Sequence, residues 1–137
     1  MRGADGWGMS QNIDTIKNAY AAFARGDIEA LLSGLAPEFE WIEPPGSQIP
    51  GTFRTREELV EKYFMRLGAE YEMKLSPEEF IDVDGNKVIV RGRHEGVHRG
   101  TGKRATSRFA SFYEFAGGKL VRFEHLFDTA LYARAST

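Results

Sequence analysis

Glu43 closes an alternating stretch, Phe39-Glu40-Trp41-Ile42-Glu43, and Pro44 and Pro45 follow it at once. The alternation predicts a strand with Phe39, Trp41 and Glu43 on one face and Glu40 and Ile42 on the other. Neither proline can donate to a ladder, so the strand stops there. A carboxylate is left at the lip of an aromatic-lined face, partly out of water, where it is suited to act as a general base. The plainer alternative is a solvated carboxylate at a strand end, and the residue types alone weigh the two about equally.

Two further side chains carry usable chemistry. Tyr20 belongs to the apolar stripe Ile13, Ile16, Tyr20, Phe23, Ala24 of a helix. A core tyrosine with a satisfied hydroxyl explains it most simply; the functional reading is a donor to a developing oxyanion. His125 alternates with Phe123 and Phe127 in the last strand. Such a histidine is more often a core or interface residue, yet on a face lining a hollow it could act as acid or base.

Arg91, Arg93, His94, His98, Arg99, Lys103, Arg104 and Arg108 make one hairpin basic. Nucleic-acid binding would interleave aromatics with these cations, and none occurs before Phe109. Arginines on an exposed sheet face are therefore the preferred reading, with one of them, such as Arg93, the alternative as a holder of an anionic substrate. His94, His98 and His125 lack matching clusters of carboxylates, so no metal site is expected. No phosphate loop, nucleophile elbow or dinucleotide fingerprint is present.

The chain of 137 residues suits one domain with one sizeable core. With 42% hydrophobic and 28% charged residues it has the composition of a folded globular protein, and a net charge of −2 gives no field for nucleic acid. The absence of cysteine excludes disulfides and thiol catalysis and fits a cytoplasmic location. No apolar run reaches the roughly 18 to 20 residues of a membrane helix. Residues 1–9 read as a flexible leader or an expression remnant, and 10–137 as a single domain.

The elements that must position these residues follow in order. Ser10 or Asn12 can cap the first helix, Gly26 stops it, and Asp27 caps a second helix with the stripe Ile28, Leu31, Leu32, Leu35, ended by Ala36-Pro37. Thr55-Arg56-Glu57-Glu58 is a capping box for a third helix carrying Leu59, Val60, Tyr63, Phe64 and Leu67, closed by Gly68. From Glu70 the period changes to two, and turns at Asp84-Gly85-Asn86, Gly100-Thr101-Gly102 and Ala116-Gly117-Gly118 separate long strands. Asp128-Thr129 can cap a tail helix. Helices first and strands afterwards predict an α+β fold: a strongly curved antiparallel sheet packed on three helices, enclosing a conical hollow.

The chain resembles the SnoaL-like and ketosteroid isomerase-like proteins of the nuclear transport factor two-like superfamily from about Asn12 to Ala133. The carriers are Tyr20-Ala21-Ala22-Phe23-Ala24-Arg25-Gly26-Asp27, Trp41-Ile42-Glu43-Pro44-Pro45-Gly46, and Gly117-Gly118-Lys119-Leu120-Val121-Arg122-Phe123 leading into Phe127-Asp128-Thr129. The resemblance implies a cone-shaped barrel with a deep pocket and a homodimer through the outer face of the sheet. Ketosteroid isomerases pair a carboxylate base with a tyrosine and a protonated acid. Tyr20 falls where that family has its tyrosine donor, Glu43 where it has its base, and Ser111 where it has its protonated acid. Serine cannot match that acid, and losing one oxyanion donor costs about 100- to 1,000-fold. The resemblance thus implies acid/base chemistry more than steroid chemistry. His125 and Asp128 are the polar residues at the end where related polyketide cyclases place theirs.

The expectation is an isomerase-, cyclase- or lyase-type enzyme without cofactor, acting on a small apolar carbonyl compound. Glu43 takes a proton, Tyr20 and Ser111 steady the enolate, and His125 relays, inside a pocket of Trp41, Phe64, Phe109, Phe123, Phe127 and Asp128. The alternative is a ligand-binding or scaffolding domain without catalysis, since the fold serves both.

Overall fold

The computed structural model describes the backbone of residues 3–137 and the side chains of residues 11–137. The expectation of a leader over 1–9 thus falls on residues whose side chains, and for 1–2 also the backbone, lie outside the described ones. Helix α1 (Gly3–Ala24) runs through both positions expected to cap it. Asn12 is buried, and its Nδ2 donates instead to the Gly85 carbonyl at 3.1 Å, tying the helix to a distant turn. Gly26 then takes the left-handed conformation (φ 74°) that only glycine adopts cheaply, and Asp27 accepts from Ala30 N to cap α2 (Ile28–Leu32).

Leu35, expected as the last member of the α2 stripe, begins strand β1 (Leu35–Glu43). Pro37 is accommodated there because the strand's register shifts between Leu35 and Glu40, where a missing donor breaks no ladder bond. After Pro44 and Pro45 the chain returns as β2 (Gly51–Phe53), antiparallel to β1. Thr55 caps α3 (Arg56–Glu58) by accepting from Glu58 N, but the return bond of the expected capping box goes from Arg54 N, not Thr55 N, to Glu58 Oε1. The helix widens into a π-helical turn, Leu59–Phe64, and continues through Gly68 as α4 (Met65–Glu70). Leu59, Tyr63 and Phe64 of this turn are all buried against the sheet.

Four long strands complete the chain: β3 (Tyr71–Val83), β4 (Lys87–His98), β5 (Arg104–Ala116) and β6 (Lys119–Phe127). Helix α5 (Thr129–Ala135) follows, capped by Asp128 as expected. The six strands form one curved, unclosed sheet in the order β2-β1-β6-β5-β4-β3. It is antiparallel except where β6, ending the meander, meets β1 in parallel. The inner face carries Val88, Val90, Phe109, Tyr113 and Phe123 against Ile16, Ala22, Leu59 and Phe64 from the helices. A smaller cluster of Tyr71, Ala105, Tyr132 and Ala135 seats α5 at one end.

On the outer face, ion pairs link the basic hairpin to acidic neighbours: Arg91 to Glu79, Arg93 and Arg108 to Glu78, and Arg104 to Glu95. Arg93 is thus engaged with a carboxylate at the surface. Among the described residues no helix is long and apolar enough to cross a membrane.

Candidate active site

Sheet and helices enclose a cavity of about 130 Å³ lined largely by apolar and aromatic side chains. Tyr20, Glu43, Ser111 and His125 all line it, as do Trp41, Phe64, Phe109, Phe123 and Phe127. Asp128 does not. It is exposed, and its carboxylate accepts from Ala130 N, because the residue after β6 is needed to start α5.

Glu43 occupies the position its alternation predicted, on the inner face beside Trp41. It is only 2% exposed. Both its oxygens are engaged: Trp41 Nε1 donates to Oε2 at 2.9 Å, and His125 Nδ1 lies 3.0 Å from Oε1. A carboxylate accepts only, so Nδ1 is the donor and Nε2 is the ring nitrogen not engaged by Glu43. The His125 side chain is 14% exposed against 1% for Glu43, so the imidazole is the more accessible partner. Its ring is held among Phe109, Phe123 and Phe127, at centroid distances of 5.8, 5.9 and 4.8 Å.

A second polar group gathers from α1 and β5. Tyr113, buried, donates to the Tyr20 hydroxyl at 3.1 Å, leaving the Tyr20 proton free to turn toward the cavity. Burial pushes the Tyr20 hydroxyl up to about 12, and bonds to Tyr113 and Ser111 offset part of that rise. Tyr20 therefore stays a neutral donor. Ser111, 1% exposed, belongs to this group through its bond to Tyr20 and stands opposite His125 in the β5–β6 ladder. Tyr63 adds a hydroxyl on the helix side; burial first, and the nearby Glu43 charge second, hold its proton on.

The sequence places His94 in the basic hairpin and among histidines without a matching metal-ligand set, and the structure buries it to 3% exposure. Strand alternation contained the signal, since His94 shares its face with Val88 and Val90 while Arg91 and Arg93 face outward. Its ring stacks on Phe109 (5.3 Å, 9°) and meets His125 edge-on at 5.3 Å. Nδ1 lies 2.6 Å from the Tyr132 hydroxyl, which α5 delivers. Burial, reinforced by His125, pushes the His94 imidazole down to about 3. Among the described residues no group of three or more His, Asp or Glu side chains gathers as metal ligands would.

Comparison with known proteins agrees with this architecture. The sequence profile of the SnoaL-like domain matches residues 16–123. An NTF2-like protein of Burkholderia thailandensis is 35% identical, with 92% of this chain and 97% of that one superposed at a TM-score of 0.86. TerC, co-crystallised with polyporic acid, is 32% identical over 92% of this chain and 98% of its own, at a TM-score of 0.83. An uncharacterised protein of Mycobacterium tuberculosis is 27% identical over 121 residues, 85% of this chain and 88% of that protein.

Proposed function

The chain belongs to the SnoaL-like domain family, and from that premise we propose that it is an acid/base enzyme acting on a small apolar carbonyl compound. The observation that carries this reading is the Glu43–His125 pair at 3.0 Å, set in an aromatic cavity with the Tyr20 hydroxyl group. The roles divide differently from the expectation that Glu43 itself removes the proton. Glu43 is buried with both oxygens occupied, so it orients and balances the imidazole, and His125 Nε2 is the base.

His125 Nε2 takes a proton from the carbon next to the carbonyl. The C–H electron pair becomes the C=C bond of an enolate, and the carbonyl oxygen gains the negative charge. Tyr20, polarised by Tyr113 and flanked by Ser111, donates to that oxygen. The imidazolium, stabilised by Glu43, then returns the proton to the same carbon or to another position of the conjugated system. That return makes the outcome an exchange or an isomerisation. Each step uses the chain's own side chains. The relative crystallised with polyporic acid supports a ligand-holding role for the cavity.

Solvent deuterium exchange into 2-tetralone, followed by NMR, tests the reading. The parent protein is expected to accelerate exchange over buffer, and His125→Gln to lose about 100-fold or more. Near-parental exchange by His125→Gln together with loss in Glu43→Gln would return the base role to Glu43. No acceleration by the parent protein would leave the family's non-catalytic ligand binding as the function. We propose in addition that two copies pair through the outer sheet face around the exposed Phe112 and Leu126.

A further inference from the structure

The proposed reaction uses one of the two bonds that hold Glu43 and leaves the other without a role. His125 Nδ1 donates to Oε1 at 3.0 Å, and Trp41 Nε1 donates to Oε2 at 2.9 Å. Glu43 is 2% exposed, and no lysine or arginine among the described residues lines the cavity. Burial above all keeps the protons on Tyr20, Tyr63, Tyr113 and Tyr132, and keeps the His94 imidazole neutral. The buried Glu43 charge therefore depends on the hydrogen bonds it accepts.

Spacing and packing together fix where the indole N–H points. Trp41 and Glu43 are two apart on β1, so the pleat sets their side chains next to each other on the inner face. At Trp41 the strand is paired on both sides, with Phe53 of β2 and Phe123 of β6. The indole is 8% exposed, and its ring lies 4.1 Å from Phe123, 5.4 Å from Phe64 and 6.2 Å from Tyr63. Indole has one N–H and no acceptor, so Oε2 takes the whole of its hydrogen-bonding capacity. The carboxylate has no such restraint of its own, because the last torsion of a glutamate is broad and roughly two-fold. Fixing Oε2 fixes that torsion, and with it the direction from which Oε1 meets Nδ1.

We infer that Trp41 is a positioning residue: its N–H sets the plane of the Glu43 carboxylate, which in turn holds His125 as the single tautomer with Nδ1–H. Nε2 is thereby left to act as the base. In this role Trp41 acts through Glu43 and needs no contact with the ligand. This deepens the proposed function and rests on its pairing of Glu43 with His125.

The test removes the N–H without changing the shape of the side chain. Trp41→benzothienylalanine, introduced at that codon alone, keeps both rings and puts sulfur in place of N–H. Solvent deuterium exchange into 2-tetralone is then expected to show kcat lower by about tenfold or more, the scale of one lost hydrogen bond to a charged group, with KM unchanged within about twofold. Nitrogen-15 NMR is expected to show one His125 tautomer, Nδ1–H, in the wild-type chain and a mixture in the variant. An unchanged His125 spectrum would overturn the inference whatever the rate, because Trp41 would then not act through the imidazole. A check that needs no variant is the Trp41 indole proton of the wild-type chain, expected to be shifted downfield and protected from solvent exchange. Fast exchange at the shift of a free indole would refute the bond and the inference with it. The two readings fail separately. Mixed tautomers in the variant without any exchange by the wild-type chain would remove the catalytic proposal and keep Trp41 as the orienting group. Exchange by both chains at equal kcat would remove the Trp41 role and keep the catalytic proposal.

Discussion

At the scale of single residues, the site is defined by which polar atoms are already engaged. Glu43 is buried, with Trp41 and His125 donating to its two oxygens, and the proposed mechanism accordingly makes it the anchor of the imidazole and not the base. His94 offers a quantitative check on the burial argument. Its folded-state value near 3 lies below the ordinary imidazole value of 6.5, so the unfolded chain binds the proton that the folded chain excludes. Stability tied to His94 is therefore fully present above pH 6.5 and is lost as pH falls from 6.5 toward 3. Urea unfolding at stepped pH should show the wild-type chain losing up to about 1.4 kcal/mol per pH unit more than His94→Gln in that window. Parallel curves for the two proteins would mean that His94 is not buried as a neutral group.

At the scale of elements, α5 decides how the cavity ends. Tyr132 reaches His94 from this helix, and Tyr71 donates to the Tyr132 carbonyl at 2.9 Å. Thr101 Oγ1 donates to the Ala135 carbonyl at 2.6 Å and holds the helix from the β4–β5 turn. The approach depends on Gly96 in β4. A Cβ there would stand 2.8 Å from Tyr132 Cε1 and 2.7 Å from Met73 Sδ. Met73 is flexible, but the Tyr132 ring is not, so α5 must give way. Gly96→Ala should cost about 1–3 kcal/mol by overpacking and should break the His94–Tyr132 bond. Thermal unfolding measures the first, and the nitrogen-15 spectrum of His94, now free to mix tautomers, measures the second. Unchanged stability and an unchanged spectrum would show that Tyr132 is not confined by this contact.

At the scale of the whole molecule, the curved sheet separates two kinds of surface. The inner face holds the cavity, while the outer face mixes ion pairs with Phe112 and Leu126, which are 37% and 44% exposed. These two lie near each other, since Phe112 is opposite Glu124 and Ala110 is opposite Leu126 in the β5–β6 ladder. A pairing of copies through that face predicts a dimer in sedimentation velocity. Phe112→Glu with Leu126→Glu should give a monomer, because like charges would then be buried against each other. A monomeric wild-type chain would remove the proposal.

Much of this was legible in the residues. The strand of Glu43, the turns at Gly85 and Gly102, the Asp128 cap and the α+β class all follow from local periodicity and turn chemistry, which act over a few residues. The inward position of His94 was equally local, set by alternation within a run whose arginines, Arg91 and Arg93, face outward. Local signals failed where a distant partner outweighed them: Asn12 bonds to Gly85 rather than capping, and Leu35 joins β6 rather than the α2 stripe. The sequence by itself determined which side chains could do chemistry and which face of each element they occupy. Only the tertiary structure decided which atoms of those side chains remain unpaired, because Glu43 and His125, 82 positions apart, meet only when β6 closes against β1. Hydrogen bonds between such distant residues leave no trace in spacing.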